Sequence, residues 1–294
     1  MSLRITALTD PEYRSGGHRL AWLASDDTGV PLGSAFLRLP GSSGQAHLAE
    51  LDLAVHPAER RRGAGSRLLT AAVAAARADG RRCVTAQTDA DSPGDQFLAA
   101  RGFRRVLTLI HTRLPLARLD TAALAEIAGG SCPGYRLEFW DGVVPDALAA
   151  TFAASRRAMD DMPMDDADFG TVEWDVERVR SVARAVETRG DRLHTVAAVS
   201  VTDGTVVAFT ELVVPGDGTG DGRHYGTGVL PEHRGHGLGR WMKAAAILRA
   251  RAVYPALGGL LTDTAAGNVP MRAINEALGY RPTHTALMYQ LDLR

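Results

Sequence analysis

The chain has 294 residues, enough for two domains of about 100–150 residues each, and its 45% hydrophobic residues are enough to form their cores. Its formal net charge of −1 gives no reason to expect nucleic acid or an anionic membrane as a partner. The two cysteines, Cys83 and Cys132, are far apart in sequence, so we expect neither a disulfide framework nor a metal site.

Targeting segments are not expected either. Residues 1–8 lack a cationic start followed by an apolar run, which argues against a signal peptide. No run of about 18 apolar residues is present, which argues against a transmembrane helix. The sequence therefore predicts a cytoplasmic protein without a membrane partner.

In chain order, the first half is predicted to be rich in strands. Apolar runs predict strands at Arg4–Leu8, Arg19–Ser25, Val30–Arg38, His47–Val55, Cys83–Thr88 and Phe103–Thr112. Helices are predicted at Ala64–Ala78 and Gln96–Arg101. The short connection 9–18 contains Pro11, Gly16 and Gly17, which leaves no room for a long helix.

A linker, Pro115–Pro133, joins the halves and contains a short predicted helix at Leu119–Ala128. In the second half, strands are predicted at Tyr135–Trp140, Leu193–Val201, Val206–Val214, His224–Val229, Gly259–Thr262 and Thr283–Leu291. Helices are predicted at Pro145–Arg157, Val176–Thr188, Leu238–Tyr254 and Pro270–Leu278. The stretch Asp217–Gly222 is expected to be a loop.

One short sequence occurs twice in the chain. Val55–Gly65 and Val229–Gly239 share a valine, a proline, an arginine and two glycines at the same spacing, 174 residues apart. A glycine followed by an aromatic residue also recurs, at Gly102-Phe103 and Gly279-Tyr280, 177 residues apart. A repeat of this period with two matched landmarks indicates a duplicated domain.

Each copy lies between a predicted strand and a predicted helix. A glycine-rich turn at a helix N-terminus can bind a phosphate, because unpaired backbone N–H groups and the helix dipole favour negative charge there. The spacing differs from the Rossmann G-x-G-x-x-G and from the P-loop, which ends in G-K-[ST]. The alternative is a tight turn that binds no ligand. Two copies of the motif with the same spacing argue against this alternative more strongly than a single copy does.

Arg60–Gly65 and Arg234–Gly239 both fit R-x-x-G-x-G, which resembles the acetyl-CoA motif of the Gcn5-related N-acetyltransferase (GNAT) family. Asn268-Val269-Pro270-Met271 and Gly279-Tyr280 resemble a later helix and strand start of that family. The resemblance covers nearly the whole chain as two halves, and the second half matches more closely. It implies acetyl-CoA (CoA) as the cofactor and an α/β (α+β) fold class. The expected architecture is two tandem GNAT folds, each a mixed, mostly antiparallel sheet flanked by helices.

The resemblance also implies a set of cofactor-binding residues in the second half. They are Val229, Leu230, Arg234, Gly235, His236, Gly237, Leu238, Gly239, Arg240, Asn268, Met271 and Asn275. The family's oxyanion donor, a backbone N–H near the end of the fourth strand, corresponds here to the stretch Gly228-Val229-Leu230. Asn268 corresponds to an asparagine near the pantetheine; it can also cap a helix, and both roles can hold together.

The two halves differ in the expected acceptor wall. By resemblance, helices between the first two strands form this wall, and positioning of the acceptor is a large part of catalysis, yet the first half has only about ten residues there. We therefore predict a non-catalytic GNAT-like domain at 1–117, a linker at 118–133 and a catalytic GNAT domain at 134–294. The sequence leaves open whether Arg60–Gly65 still binds CoA.

Three residues are candidates for catalysis. Glu211 stands in an otherwise apolar predicted strand, where a carboxylate either faces a pocket or lies on an outward face. His224 and Tyr225 begin the strand before the second glycine-rich turn, and they should point to opposite faces of the sheet. His224 has a suitable intrinsic pKa for proton transfer, although a lone histidine is often a plain surface residue.

The family's usual acid is absent from both halves. A tyrosine often precedes the glycine–aromatic pair by four residues, where this chain has Leu98 and Asn275. Asn275 can donate a hydrogen bond but cannot supply a proton to the departing thiolate. In the first half, Asp91 stands where Asn268 stands in the second, which adds negative charge near an anionic cofactor.

An acidic stretch follows the predicted helix Pro145–Arg157. Its carboxylates, interleaved with Met and aromatic residues, are Asp160, Asp161, Asp165, Asp166, Asp168, Glu173 and Asp175. One interpretation is a flap over a cationic acceptor, and the other is a solvated loop.

The sequence thus predicts an acetyl-CoA-dependent N-acetyltransferase acting on a small, cationic amine. A non-catalytic acyl-CoA-binding sensor and an acyltransferase that uses a longer acyl-CoA are the alternatives. A small-molecule amine is the expected partner, and the protein is expected to be a monomer or a homodimer.

Overall fold

The computed structural model describes residues 3–8, 17–163 and 165–293. The strands are β1 (Arg4–Leu8), β2 (Gly17–Ser25), β3 (Pro31–Pro40), β4 (Leu48–Val55), β5 (Cys83–Asp89), β6 (Arg104–Pro115), β7 (Tyr135–Asp141), β8 (Arg192–Ser200), β9 (Val206–Val214), β10 (Asp221–Val229), β11 (Gly259–Ala265) and β12 (Arg281–Asp292). The α-helices are α1 (Ala64–Ala78), α2 (Pro93–Ala100), α3 (Thr121–Gly129), α4 (Asp146–Ser155), α5 (Val176–Thr188), α6 (Leu238–Val253) and α7 (Val269–Ala277).

The chain forms two compact units. Unit 1 comprises Met1–Leu109, Met164–Glu173 and Thr285–Arg294, and unit 2 comprises Ile110–Pro163 and Trp174–His284. Unit 1 therefore includes two segments from the second half of the sequence. The division at 1–117, 118–133 and 134–294 stays a prediction about the duplicated sequence.

Unit 1 is built on a mixed sheet with the strand order β1-β2-β3-β4-β5-β12-β6. Strands β1 to β4 are antiparallel neighbours, whereas β4 and β5 pair in parallel from Leu48↔Cys83 to Leu51↔Ala86. α1 lies against this sheet and buries an apolar stripe at helical spacing, formed by Leu68, Leu69, Ala72, Val73 and Ala76. Each fully buried leucine contributes about 2 kcal/mol by leaving water.

Most of the acidic stretch belongs to unit 1. The Asp168 carboxylate lies 3.0 Å from Nε2 of His47, and the Asp168 backbone N–H donates to Gln290 Oε1 at 3.3 Å. The backbone carbonyl of Phe169 accepts from Gln45 Nε2 at 3.2 Å. Gly170 lies so close to Gly44 that a Cβ would fall 1.9 Å from its carbonyl oxygen. The segment is thus packed on unit 1 over several residues rather than being a free loop.

Unit 2 has the strand order β6-β11-β10-β9-β8-β7, with antiparallel pairing from β7 to β10. All nine residues of β9 are buried, which is typical of a central strand covered on both faces. α6 buries most of its length among two apolar clusters, one around Met242 and one around Ile247. On α4, Phe152 packs edge-on against Phe209 of β9.

The expected fold class is confirmed: each unit has a mixed, mostly antiparallel sheet flanked by helices. The predicted helix and strand positions are also confirmed, with ends that differ by a few residues. Among the starts of elements, the largest shifts are at α2, which begins at Pro93 because Ser92 caps it, and at β10, which begins at Asp221. The end of the predicted loop Asp217–Gly222 therefore belongs to a strand. Most of the connection 9–18 lies outside the described residues.

Within the part of the chain that the structure describes, no helix combines the length and the apolar character that crossing a membrane requires.

Candidate active site

In unit 2 the pairing between β10 and β11 ends well before the carboxyl ends of the two strands, and we call the edge left between their unpaired ends the cleft. The two strands pair in parallel only from Asp221↔Gly259 to Arg223↔Leu261, although both continue for several residues. β10 also contains a bulge between His224 and Gly226 in its pairing with β9, so Tyr225 is the extra residue. The carboxyl ends of adjacent parallel strands are where open α/β sheets bind ligands.

One backbone N–H at this edge is free of the β9 ladder. Leu230 donates its N–H to the Val207 carbonyl at 3.0 Å, so it faces β9. Because N–H groups alternate in direction along an antiparallel strand, the N–H of Val229 faces the open edge. Of the three positions predicted to supply the oxyanion donor, Val229 has the suitable direction and Leu230 is already engaged.

The glycine-rich turn follows directly. A short 3₁₀ turn at Pro231–His233 leads into Gly235 and Gly237, whose φ angles are 83° and 78°. Gly237 is the N-cap of α6, and a Cβ at either glycine would meet no atom within 4 Å. The space beside both glycines is therefore open. Because the first N–H groups of a helix have no partner within the helix, such a turn fits the pyrophosphate of a CoA molecule.

The side chain of Arg234 connects this turn to the preceding strand, β10, through a hydrogen bond. Its Nε donates to the Val229 carbonyl at 3.0 Å, and its two Nη atoms lie 2.6 and 2.7 Å from the Asp161 carboxylate. These hydrogen bonds lower the pKa of Asp161 and raise that of Arg234. Arg234 thus orients the carbonyl of the same residue whose N–H faces the cleft.

The first copy of the motif has the same local structure in unit 1. Gly63 caps α1 with φ of 92°, and the Nε of Arg60 donates to the Val55 carbonyl at 3.3 Å. Arg61 occupies the position of Gly235 and adopts φ of 64°, which is uncommon for a residue with a side chain. The duplication inferred from the motif is therefore present in backbone detail.

The structure assigns partners to Glu211. It is 5% exposed and forms a bidentate ion pair with Arg156, with Nη1 2.8 Å from Oε2 and a second contact between Nη2 and Oε1. Arg156 is also buried, with its guanidinium 4.5 to 4.7 Å from the ring centroids of Phe152, Trp174 and Phe209. Both oxygens of the Glu211 carboxylate are therefore engaged with one cation.

His224 lies on the opposite face of the sheet. Its Nε2 is 2.9 Å from the Tyr280 hydroxyl, and its Nδ1 is 3.3 Å from Oγ1 of Thr210. Thr210 Oγ1 in turn lies 2.8 Å from Oγ1 of Thr227, which is only partly buried. Burial, and then the nearby Lys243 amine, hold the pKa of His224 well below its usual range.

Tyr225 points away from this network. Its side chain is 45% exposed, and its hydroxyl accepts a hydrogen bond from Arg189 Nη2 at 2.8 Å. The three candidate catalytic residues are thus not brought together. Glu211 and His224 occupy opposite faces of the sheet, and Tyr225 lies at the bulge between His224 and Gly226.

Two asparagines predicted to bind the cofactor have defined roles in α7. Asn268 caps the helix, because its Oδ1 accepts from the Met271 N–H at 3.2 Å. Asn275 is 2% exposed, and its Nδ2 donates to Thr264 Oγ1 at 3.2 Å. The Oδ1 atom of Asn275 is buried without a hydrogen-bond partner.

Other predicted cofactor residues surround the turn. Arg240 and Gly237 line a groove of about 350 Å³ together with Cys132, and Cys132 Sγ donates to the His236 carbonyl at 3.4 Å. Leu238 and Gly239 are buried at the start of α6, and a Cβ on Gly239 would lie 3.4 Å from Ile274 and 3.8 Å from Val229. Among the described residues, no group of three or more His, Cys, Asp or Glu is placed to hold a metal ion.

Lys243 was not anticipated from the sequence. It lies on α6, is 1% exposed, and its Nζ is 5.2 Å from the centroid of the Tyr280 ring. Burial lowers the pKa of Lys243 to about 7. A comparison of the two sequence copies, position by position, could have revealed it. Positions that are polar in the second copy are apolar in the first: Lys243 and Leu69, Tyr280 and Phe103, Asn275 and Leu98, Thr227 and Leu53.

Comparisons with known proteins agree with this geometry. The acetyltransferase (GNAT) family matches residues 4–103 and again residues 159–280. The chain is 30% identical over 258 residues to a mycothiol acetyltransferase of Nocardia farcinica, covering 83% of this chain and 74% of that protein. It is 32% identical over 155 residues to a mycothiol acetyltransferase of Kineococcus radiotolerans, a match that spans 51% of this chain and only half of that protein.

Solved structures of GNAT proteins are also similar to this chain. A tandem GNAT protein from the clavulanic acid biosynthesis pathway matches with a TM-score of 0.75 and 28% identity, covering 95% of this chain and 84% of that one. A GCN5-related N-acetyltransferase from Sphaerobacter thermophilus shares the fold with a TM-score of 0.67 at 15% identity, covering 93% and 81% of the two chains. The family match covers most of the chain in two separate regions, so this protein belongs to the GNAT acetyltransferase family as a tandem member.

Proposed function

We propose that unit 2 transfers an acetyl group from acetyl-CoA to the amine of a small molecule. The observation that carries the proposal is the position of the Val229 N–H, which faces an open strand edge directly before the glycine-rich turn. A phosphate held at the turn and a thioester carbonyl at the strand edge match the two ends of one pantetheine arm. Bound acetyl-CoA would supply the activated acyl group.

The residues of unit 2 have distinct roles in this proposal. Gly235 and Gly237 would expose backbone N–H groups to the pyrophosphate, and Arg234 would hold the turn against β10. The Val229 N–H would stabilise the negative charge that develops on the carbonyl oxygen. His224, connected to the edge of β10 through Thr210 and Thr227, would accept a proton from the amine.

The acceptor is assigned only by class. Two relatives named mycothiol acetyltransferase support a small-molecule acceptor. A cationic acceptor stays a prediction, since much of the acidic stretch has partners inside the protein. Asp161 pairs with Arg234, Asp168 with His47, and Asp175 caps α5 by accepting from the Arg178 N–H at 2.7 Å.

Thiol release tests the proposal. The purified full chain is incubated with acetyl-CoA and each member of a panel of small amines, including amino sugars, polyamines and amino acid amides. We expect release of free CoA thiol with a subset of the amines and one acetylated product by mass spectrometry. Tight binding of acetyl-CoA without thiol release from any amine would support an acyl-CoA-binding sensor instead.

A further inference from the structure

One tyrosine projects from the sheet of unit 2 at the start of the cleft. Arg223↔Leu261 is the last pair between β10 and β11, and Tyr225 follows as the extra residue of the bulge. Of the nine residues of β10, only Arg223 and Tyr225 are exposed. Bulges commonly redirect a side chain next to an active site. A polar acceptor that reaches β10 from solvent at this point would therefore contact these two side chains.

The exposed surface of β10 lies on the face of the sheet that α5 covers. Arg223 is paired with Val213, whose side chain belongs to an apolar cluster with α5, and directly paired residues share a face. The hydroxyl of Tyr225 accepts a hydrogen bond of 2.8 Å from Nη2 of Arg189, the residue that caps the end of α5. This hydrogen bond holds the guanidinium of Arg189 beside the bulge.

Arg189 brings a positive charge without a counter-charge to this surface. Its side chain is exposed, and within the part of the chain that the structure describes its guanidinium has the Tyr225 hydroxyl as its one hydrogen-bond partner. The remaining N–H groups of the guanidinium can therefore bind an anion. Arg223 beside it has only a distant carboxylate, that of Asp263 at 3.9 Å. The free charge at the bulge is thus positive.

The carboxylates of unit 2 do not reverse this charge. Asp161 and Glu211 could have attracted a cationic acceptor, but each binds an arginine through both of its oxygens. Their partners, Arg234 and Arg156, belong to the protein itself, so these two acid groups are already neutralised. The surface at Tyr225 is therefore suited to a negatively charged group of the acceptor.

We propose that Arg189, oriented by Tyr225, binds an acid group of the acceptor, either a carboxylate or a phosphate, so that the substrate amine belongs to a molecule that carries such a group. The inference rests on the proposed function. A hydrogen bond from a guanidinium to an anion is stronger than one between neutral groups. An acid group held at Arg189 also restricts the position of the amine on the same molecule relative to the thioester. This class of acceptor differs from the cationic amine expected from the acidic stretch.

Matched acceptors test the preference for an acid group. The amine panel is extended with amino acids and aminoalkyl phosphates, each paired with a neutral analogue in which an amide or a hydroxyl replaces the acid group. At saturating acetyl-CoA, kcat/KM should be at least about 10-fold higher for the acid-bearing member of the best pair. The two kinds of pair show whether the group is a carboxylate or a phosphate. Acetylation without this preference in any pair would overturn the proposal and leave the acetyltransferase function in place.

Variants of two arginines on α5 locate the preference. Arg189→Met should lower the ratio of kcat/KM between the acid-bearing acceptor and its neutral analogue by at least about 10-fold, chiefly through the KM of the acid-bearing acceptor. Arg189→Lys should keep part of the ratio, because the charge remains and the planar donor group is lost. Arg184→Met is the control, since Arg184 is also exposed but pairs with Glu177 at 2.9 Å, and it should keep the wild-type ratio. If Arg189→Met slows both acceptors equally and the ratio is unchanged, Arg189 is structural and the proposal is wrong.

A binding measurement does not depend on turnover. The protein saturated with CoA is titrated calorimetrically with the N-acetyl derivatives of the same pairs. The acid-bearing derivative should bind at least about 10-fold more tightly than its neutral analogue to the wild type and to Arg184→Met, and without this preference to Arg189→Met. If no amine is acetylated, the proposed function fails, and this titration still decides whether Arg189 binds an acid group. Equal affinities in the wild type, or no binding of either derivative, would count against the inference.

Discussion

The carboxylate of Glu211 and the guanidinium of Arg156 form a buried bidentate ion pair surrounded by three aromatic rings. Arg156 begins the short 3₁₀ segment Arg156–Met159, and Met159 at its end packs on β10: a Cβ on Gly228 would lie 3.2 Å from its Sδ. The pair therefore fixes the segment that covers one face of β10. This geometry favours a structural role for Glu211 over that of a general base.

The two roles of Glu211 can be separated by a double variant. Glu211→Gln leaves the Arg156 charge buried without a counter-charge, so we expect a loss of about 3 kcal/mol in the free energy of unfolding. Glu211→Leu combined with Arg156→Met removes both charges and should recover most of that stability. Denaturant titration of the wild type and both variants measures the difference.

Activity then decides between the roles. If Glu211 only holds the segment Arg156–Met159 in place, the apolar double variant should keep turnover within about 10-fold of the wild type. A stable double variant with turnover reduced by about 10²-fold or more, and with unchanged affinity for CoA, would restore Glu211 as a base.

Gly237 and Gly63 provide a matched pair for the site of cofactor binding. Both cap a helix with positive φ, and a Cβ at either position would meet no neighbouring atom. An aspartate therefore brings similar backbone strain to both turns, and any difference between them comes from charge next to the phosphates. We expect Gly237→Asp to weaken CoA binding by at least about 10-fold and Gly63→Asp by less than about 3-fold. Calorimetry with CoA measures both, and equal losses would contradict the assignment of the active half.

Much of the fold could be predicted from the sequence because local patterns determine it. The spacing of apolar residues on α1 and α6, and the glycines before them, identified two strand–turn–helix segments that the structure contains. The sequence did not indicate that two segments of its second half, Met164–Glu173 and Thr285–Arg294, belong to unit 1. Nothing local to 165–173 or 285–293 indicates that these residues pack in unit 1, because that choice depends on contacts with residues more than 100 positions away.

The candidate site was predictable to a similar extent. The turn at Arg234–Gly239 followed from its motif, but the partner of Glu211 did not, since Arg156 lies in a different element 55 residues earlier. The surroundings of Lys243 were also hidden, because a lysine on a helix is ordinarily exposed. Only the matching leucine at position 69 marks position 243 as one that faces a core.

His224 and Tyr225 are adjacent in sequence but differ in their surroundings, so conservative variants distinguish them. His224→Asn keeps a side chain that can form hydrogen bonds but cannot carry a proton, and we expect kcat to fall by about 10²-fold. Tyr225→Phe removes only an exposed hydroxyl that binds Arg189, and we expect kcat within about 3-fold of the wild type. Initial rates with saturating acetyl-CoA measure both variants. The reverse order of effects would make Tyr225 the proton-transferring residue.

The buried amine of Lys243 should also make stability depend on pH. Its pKa is lowered from 10.5 to about 7 in the folded protein, so between these values the unfolded chain binds the additional proton. Stability contributed by this group therefore rises with pH across that window, by at most about 1.4 kcal/mol per pH unit, and is constant below pH 7.

Lys243→Met lacks this dependence on pH. We expect the variant to be more stable than the wild type at pH 7, where the wild type carries the full cost of burying the charge, and the difference to shrink towards pH 10. Urea titrations of the two proteins at pH 6, 7, 8, 9 and 10 measure the difference, which cancels the contributions of other titrating groups. A difference in stability that stays constant over this range would show that Lys243 has an ordinary pKa in the folded protein.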